Sequence, residues 1–117
     1  MLPEQRDAAY LWDILQAAQE ITHFVENMIF YEFENNKMAR YAVERQLLVI
    51  GEAANHISES FKTEHSHIPW KSIIAQRNIL AHEYGEILVE RIWVVATEKI
   101  PELISDIAPL VPTPPQE

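Results

Sequence analysis

Apolar residues recur at steps of three and four along most of the chain, the spacing that places them on one face of an α-helix. The first such stretch covers residues 4–34 and is predicted to be one unbroken helix. A second covers residues 37–62, after a turn predicted at Asn35 and Asn36. The two apolar stripes are, in order, Leu11, Ile14, Leu15, Ala18, Ile21, Val25 and Met28, then Ala39, Val43, Leu47, Ile50, Ala54, Ile57 and Phe61.

Gly51 lies inside the second predicted helix. A glycine there costs about 1 kcal/mol relative to alanine. Close approach of another helix or of a ligand would explain it, and a tolerated accident explains it about as well.

The second half of the chain predicts a short third helix and a long fourth one. Residues 63–68 are polar and are predicted to form a loop, and Pro69 suits the entry to a helix over 70–82. Gly85 follows closely, as glycine often does at a helix C-terminus. The fourth helix is predicted over 87–108, with a kink or restart at Pro101, whose ring would clash with the carbonyl of Thr97.

No stretch shows strand alternation, so the sequence predicts an all-α fold: an antiparallel four-helix bundle with three long helices and one short one. Residues 1–108 are expected to form the helical domain and residues 109–117 a proline-rich flexible tail. Wide apolar faces in so short a chain favour pairing with a second copy. The positions that would suit such an interface are Trp12, Phe30, Tyr31 and Trp93.

Composition narrows the function classes. The 117 residues include no cysteine, which excludes a disulfide framework, a thiolate nucleophile and a cysteine-based metal site. The net charge of −9 argues against a general nucleic-acid binder. No signal peptide or membrane-spanning stretch is expected, and the cytoplasm is the expected compartment.

The most informative stretch lies at the end of the third predicted helix, where Arg77, Asn78, His82 and Tyr84 occur within eight residues. Histidine can exchange a proton near neutral pH, and arginine presents a fork of donors to a phosphate. RNA cleavage without a metal needs a base for the 2′-hydroxyl, an acid for the leaving oxygen and a cation at phosphorus.

One chain alone fits that chemistry poorly. Positions 77 and 82 are about 140° apart around a regular helix, so they share a face only if the helix ends near Ala81 or the arginine side chain curls back. A two-fold dimer would also supply the second histidine. The alternative is structural, because a histidine at a helix C-terminus can cap carbonyls there.

Other candidates are weaker. His65 and His67 could bind a metal, although without a third ligand they are more often solvated, and no metal or cofactor is predicted. Glu52 could face a cleft, although a solvated or ion-paired role is more common. The basic residues available for a local RNA patch are Lys37, Arg40, Arg45, Lys71, Arg77 and Arg91.

The run from Arg77 to Tyr84 resembles the Arg-x4-His-x-Tyr motif of the HepT-like toxins, helical ribonucleases of the HEPN superfamily. Four further segments resemble that family in order and spacing, over about residues 5–105. They are Arg6-Asp7 with residues 10–15, Val49 to Ala54, Ile68-Pro69-Trp70 and Ile100 to Leu103.

The resemblance implies a homodimeric toxin that cleaves RNA without a metal in a cleft between protomers. It implies Arg77 and His82 as the catalytic pair and Asn78 as the neighbour that orients them. It also implies a partner, an MntA-type nucleotidyltransferase antitoxin, which would transfer AMP to Tyr84. Two alternatives stay open: a non-catalytic helical subunit that presents substrate to, or scaffolds, a nucleotidyltransferase, and a dimerisation module without chemistry.

Overall fold

A computed structural model describes the backbone of residues 3–82 and 86–112, and their side chains apart from positions 3–4, 77–79, 81–82 and 86–87. These residues form helices and connecting turns, with no β-strand among them, which confirms the all-α prediction. The α-helices are α1 (Pro3–Val25), α2 (Phe30–Glu34), α3 (Lys37–His56), α4 (Glu59–Glu64), α5 (Trp70–His82), α6 (Glu86–Val94) and α7 (Ile100–Ile107).

Helices α1 and α3 pack against each other and run in opposite directions. Asp7 near the start of α1 contacts Ser58 just after α3. Farther along, Gln46 of α3 donates a hydrogen bond to Glu20 of α1. The buried side of α1 and the buried side of α3 together form much of the apolar core.

The prediction of one unbroken helix over 4–34 is wrong. Helix α1 ends at Val25, and Asn27 adopts a left-handed backbone with φ of 64°. Asparagine tolerates this conformation better than most residues. The short helix α2 then begins, where the carboxylate of Glu32 accepts a hydrogen bond from the backbone N–H of Ile29 at 3.0 Å.

The second predicted helix, over 37–62, is also divided. Asn36 caps the start of α3 through a 3.0 Å hydrogen bond from the N–H of Ala39. Helix α3 ends at His56, and Ser58 caps α4 by accepting a hydrogen bond from the N–H of Phe61. Ser58 is held in an extended backbone, so the helix cannot run through it.

The third predicted helix is confirmed over the same residues, 70–82. The Pro69 carbonyl accepts the first helical hydrogen bond, from the N–H of Ile73 at 3.1 Å. Trp70 is buried, and its indole N–H donates to the carbonyl of His65 at 3.0 Å. The loop predicted over 63–68 begins later, because α4 extends to Glu64.

The interruption predicted at Pro101 takes the form of a π-helical turn over Val95–Lys99, between α6 and α7. The N–H of Ile100 bonds to the carbonyl of Val95, five residues back. Pro101 then occupies the first turn of α7, where its missing N–H costs little.

Two of the four aromatic positions predicted for an interface belong to the interior instead. Phe30 and Trp93 are partly buried and stack edge to face at 6.1 Å, and the Trp93 ring also lies 5.2 Å from that of Phe33. The separation of α1 from α2 turns Phe30 inward. Trp12 and Tyr31 are exposed at 42% and 70%.

After α7 a 3-10 helix covers Ala108–Leu110, and Leu110 and Val111 pack partly buried against the core. The first residues of the proposed tail therefore contact the domain. Among the described helices, none has the length and apolarity needed to cross a bilayer. The full four-helix arrangement stays a prediction.

Candidate functional site at the end of helix α5

The motif residues fall at the edge of the described chain. The backbone of Arg77, Asn78 and His82 belongs to the last two turns of α5. Their side chains, and all of Tyr84, lie outside the described residues. The roles assigned to these four residues therefore stay predictions.

The backbone of α5 determines the angle between Arg77 and His82 around the helix axis. Because α5 stays helical through His82, positions 77 and 82 remain about 140° apart around its axis. Helix α5 thus extends one residue beyond Ala81 and includes His82. A second protomer, or a curled arginine side chain, is then needed to bring the two groups together.

A groove of about 490 Å³ runs between the second half of α5 and the segment formed by α6 and the π-helical turn. We call it the α5 groove. It is lined by Leu47, Gln76, Leu80, Leu88, Glu90, Arg91, Ile92, Val94, Val95 and Lys99. Around the helix axis, position 77 is about 60° from Leu80 and position 82 about 160° from it. The groove therefore lies beside position 77 rather than position 82.

A second pocket, of about 300 Å³, continues along the same side of α5 toward its N-terminus. The two pockets share Gln76, Val95 and Lys99 in their walls. Together the two pockets border the chain from Pro69, just before α5, to Leu80.

The α5 groove carries two cationic side chains, Arg91 and Lys99, and one acidic side chain, Glu90. Arg91 was among the basic residues expected in an RNA patch, whereas Lys99 was missed. Its place two residues before Pro101, where the kink is predicted, was the available signal. Arg45 lines a different pocket, on the α1 side of α3.

Sequence reasoning also missed Glu44, which lies beside Arg40 on α3. Arg40 and Glu44 lie on the same stripe of α3 as Leu47 and Gly51, where a Cβ at Gly51 would meet the Ile73 carbonyl of α5 at 3.5 Å. Burial raises the pKa of Glu44, and the Arg40 guanidinium offsets part of that effect. The helical spacing from Gly51 was the signal that could have found Glu44.

The Arg40–Glu44 pair lies level with the last turns of α5. Gly51 is level with Ile73, whereas Leu47 shares the α5 groove with Leu80, so α3 and α5 run in opposite directions. Glu44 is one turn further toward the start of α3. A half-buried carboxyl with a raised pKa therefore stands near the end of the motif helix.

His65, His67 and Glu52, the weaker candidates from the sequence, each contact a neighbouring side chain. The His65 ring packs on Phe61 with centroids 4.3 Å apart, and the His67 ring lies 6.1 Å from that of His65. A carboxylate oxygen of Glu52 lies 3.9 Å from Nε2 of His56, and both side chains are about half exposed. Within the described part of the chain, no three His, Asp or Glu side chains converge as metal ligands would.

Comparison with known proteins identifies relatives over most of the chain. A family model described as Ribonuclease HepT-like matches residues 14–110. A Methanocaldococcus jannaschii protein named as the RNase MJ1380 is 38% identical over 85% of this chain and 91% of its own length. A Thermococcus cleftensis protein named as a ribonuclease HepT is 37% identical over 80% of this chain and 86% of its own. No solved structure matches.

Proposed function

Because the chain belongs to the Ribonuclease HepT-like family, we propose that it is the toxin of a HepT/MntA-type toxin–antitoxin pair and acts as a metal-independent endoribonuclease. The family match over 14–110 carries this proposal, since it includes α5 and the whole α5 groove. The RNase-named relatives support the activity.

In the proposed reaction, His82 acts as a general acid or base and Arg77 binds the phosphate and stabilises its transition state. Asn78 orients this pair. A base removes the proton of the ribose 2′-hydroxyl, whose oxygen attacks the adjacent phosphorus. The bond to the 5′-oxygen breaks, and that oxygen takes a proton from the acid. The products carry a 2′,3′-cyclic phosphate and a 5′-hydroxyl.

The second proton-transfer group comes from a second copy of the chain. In a two-fold dimer each site can draw on the Arg77 and His82 of both protomers. The separation of positions 77 and 82 around α5 supports such a composite site.

Neutralisation proceeds at Tyr84. The antitoxin, a minimal nucleotidyltransferase, directs the phenol oxygen to the α-phosphorus of ATP; pyrophosphate leaves and the phenol proton passes to solvent. The attached AMP adds bulk and negative charge beside Arg77, which would exclude an RNA phosphate. Intact mass after co-expression with the antitoxin measures this step, and Tyr84→Phe should abolish the added mass.

The test of the activity is cleavage of an end-labelled RNA by the purified, unmodified protein in the presence of EDTA. We expect Arg77→Ala and His82→Ala each to slow cleavage by about 10² or more. Gln16→Ala, an exposed change on α1 outside the proposed site and the basic patch, is the control and should cleave normally. Activity in both site variants equal to that of Gln16→Ala would refute the assignment.

The net charge of −9 favours one alternative, a non-catalytic helical subunit that scaffolds a nucleotidyltransferase or presents substrate to it. Under this alternative the purified protein leaves RNA intact yet binds the transferase tightly. The same cleavage experiment therefore separates the two functions.

A further inference from the structure

Helix α3 carries an exposed stripe on the side away from the core. Five residues at helical spacing form it: Met38, Tyr41, Arg45, Leu48 and Glu52. Met38 is 84% exposed, Tyr41 60% and Leu48 36%, so the stripe offers large apolar side chains to solvent. We call it the α3 stripe.

The charges of the α3 stripe are arranged symmetrically. Arg45 lies three residues before Leu48, and Glu52 lies four residues after it. When two such stripes meet in antiparallel orientation about a two-fold axis next to Leu48, each Arg45 faces the partner's Glu52. A parallel pairing would instead place like charges together. The stripe is thus complementary to its own copy in one orientation.

The shape of the surface agrees with that orientation. A pocket of about 350 Å³ adjoins the stripe and is lined by Tyr10, Asp13, Arg45, Leu48, Val49, Glu52, Ala53 and His56. The rings of Tyr10 and His56 stack in its wall, 5.3 Å apart and 18° from parallel. In the antiparallel register that pairs Arg45 with the partner's Glu52, the partner's Tyr41 falls opposite His56. An exposed aromatic ring therefore meets a pocket with an aromatic wall.

We infer that the α3 stripe is the surface through which two copies of this chain associate, with the two-fold axis beside Leu48. The inference rests on the dimer invoked in the proposed function and specifies its interface. Leu48 lies between the two places where α3 meets α5, at Gly51 and at Leu47. The middle of α5 in each protomer is therefore level with the axis, and the two motif helices flank one cleft.

Cross-linking tests the position of the axis. The chain has no cysteine, so Leu48→Cys introduces a single thiol. We expect oxidation, or a short bismaleimide, to convert most of this variant into a covalent dimer. Gln19→Cys is the control, since Gln19 is exposed on α1 away from α3, and it should remain uncross-linked at the same concentration. A non-covalent dimer in which position 48 fails to cross-link would overturn the inference.

Charge exchange tests the register. Arg45→Glu and Glu52→Arg each create two like-charged contacts, and each should raise the dimer dissociation constant about tenfold. The double variant restores opposite charges and should recover most of the affinity. Weakening in the double variant equal to the sum of the single effects, or a monomeric parent protein, would overturn the inference. Circular dichroism of each variant confirms that it is folded.

The outcomes also separate this inference from the proposed function. RNA cleavage by a dimer that uses another surface would refute the α3-stripe interface and support the ribonuclease activity. A dimer through the α3 stripe that leaves RNA intact would support the interface and refute the activity.

Discussion

Asp7 joins the first turns of α1 to the connection after α3. It is 8% exposed, and its carboxylate accepts hydrogen bonds from the Ser58 N–H at 2.9 Å and the Ser58 hydroxyl at 2.6 Å. Asp7→Ala leaves the Ser58 amide without this partner, so we expect it to lower the free energy of unfolding by about 1.5–3 kcal/mol. Urea unfolding measures this, with Gln16→Ala on the same helix as an exposed control. A loss no larger than the control's would contradict the structural role.

A second prediction for a single residue concerns Glu44 and depends on pH. Burial raises its pKa above 4.5, so its protonated form stabilises the fold below that pH and the contribution is lost as the pH rises through the folded-state pKa. At neutral pH the charged carboxylate opposes folding.

We therefore expect Glu44→Gln to raise Tm at neutral pH and to change it little below pH 4.5. The gain should stay under about 1 kcal/mol, since solvent screens a half-buried group. Thermal unfolding at both pH values measures it, and Glu98→Gln serves as an exposed control. Destabilisation at neutral pH would contradict the prediction, because it would mean that the attraction of Arg40 outweighs the cost of burying the carboxylate.

Among the elements, α3 and α5 meet closely at Gly51. A Cβ there would lie 3.5 Å from the Ile73 carbonyl oxygen and 3.9 Å from that of Ile74, both ordinary van der Waals contacts. Gly51→Ala should therefore gain helix propensity without a clash and stabilise the protein by about 1 kcal/mol. Chemical denaturation measures the change. A loss of stability would mean that the helices cannot accept a methyl group between them.

Helix content follows from apolar spacing, but helix ends depend on single polar residues. The spacing placed α5 correctly because Pro69 marks its start. The same spacing wrongly predicted that two other helices continue through Asn27 and Ser58, because the apolar stripe continues across both positions. What ends those helices is a left-handed asparagine and a serine held by Asp7, and the second of these is a contact between residues 51 apart in sequence.

For the whole molecule, the net charge of −9 means that RNA must be attracted locally. Arg91 and Lys99 are the cations in the α5 groove. We expect Arg91→Gln and Lys99→Gln each to weaken RNA binding equally for all RNA sequences. Each change should also reduce the slope of log binding constant against log salt concentration by about one, the value for one lost phosphate contact. Filter binding over a salt series measures this, with Lys62→Gln as the control. Unchanged binding in both variants would exclude the groove as the RNA path.

The candidate site could be proposed from the sequence to the extent that its residues are local, and it stays a prediction. The Arg77 to Tyr84 run could be singled out because its chemistry lies within eight consecutive residues. Lys99 and Glu44 carry only the indirect signals of the Pro101 kink and the spacing from Gly51, because their places depend on how α3 packs against α5 and how the π-helical turn lines the groove. Such packing is set by the core of the entire chain rather than by the motif.

The π-helical turn before Pro101 contains one residue more than a regular helical turn, and that extra residue is what allows a proline to follow it. Deleting Glu98 would therefore leave α6 and α7 in their present phase. The proline ring would then lie inside a regular helix, at a cost of about 3 kcal/mol. A one-residue deletion here is therefore accommodated only together with replacement of Pro101, so the two changes should be gained or lost as a pair during divergence.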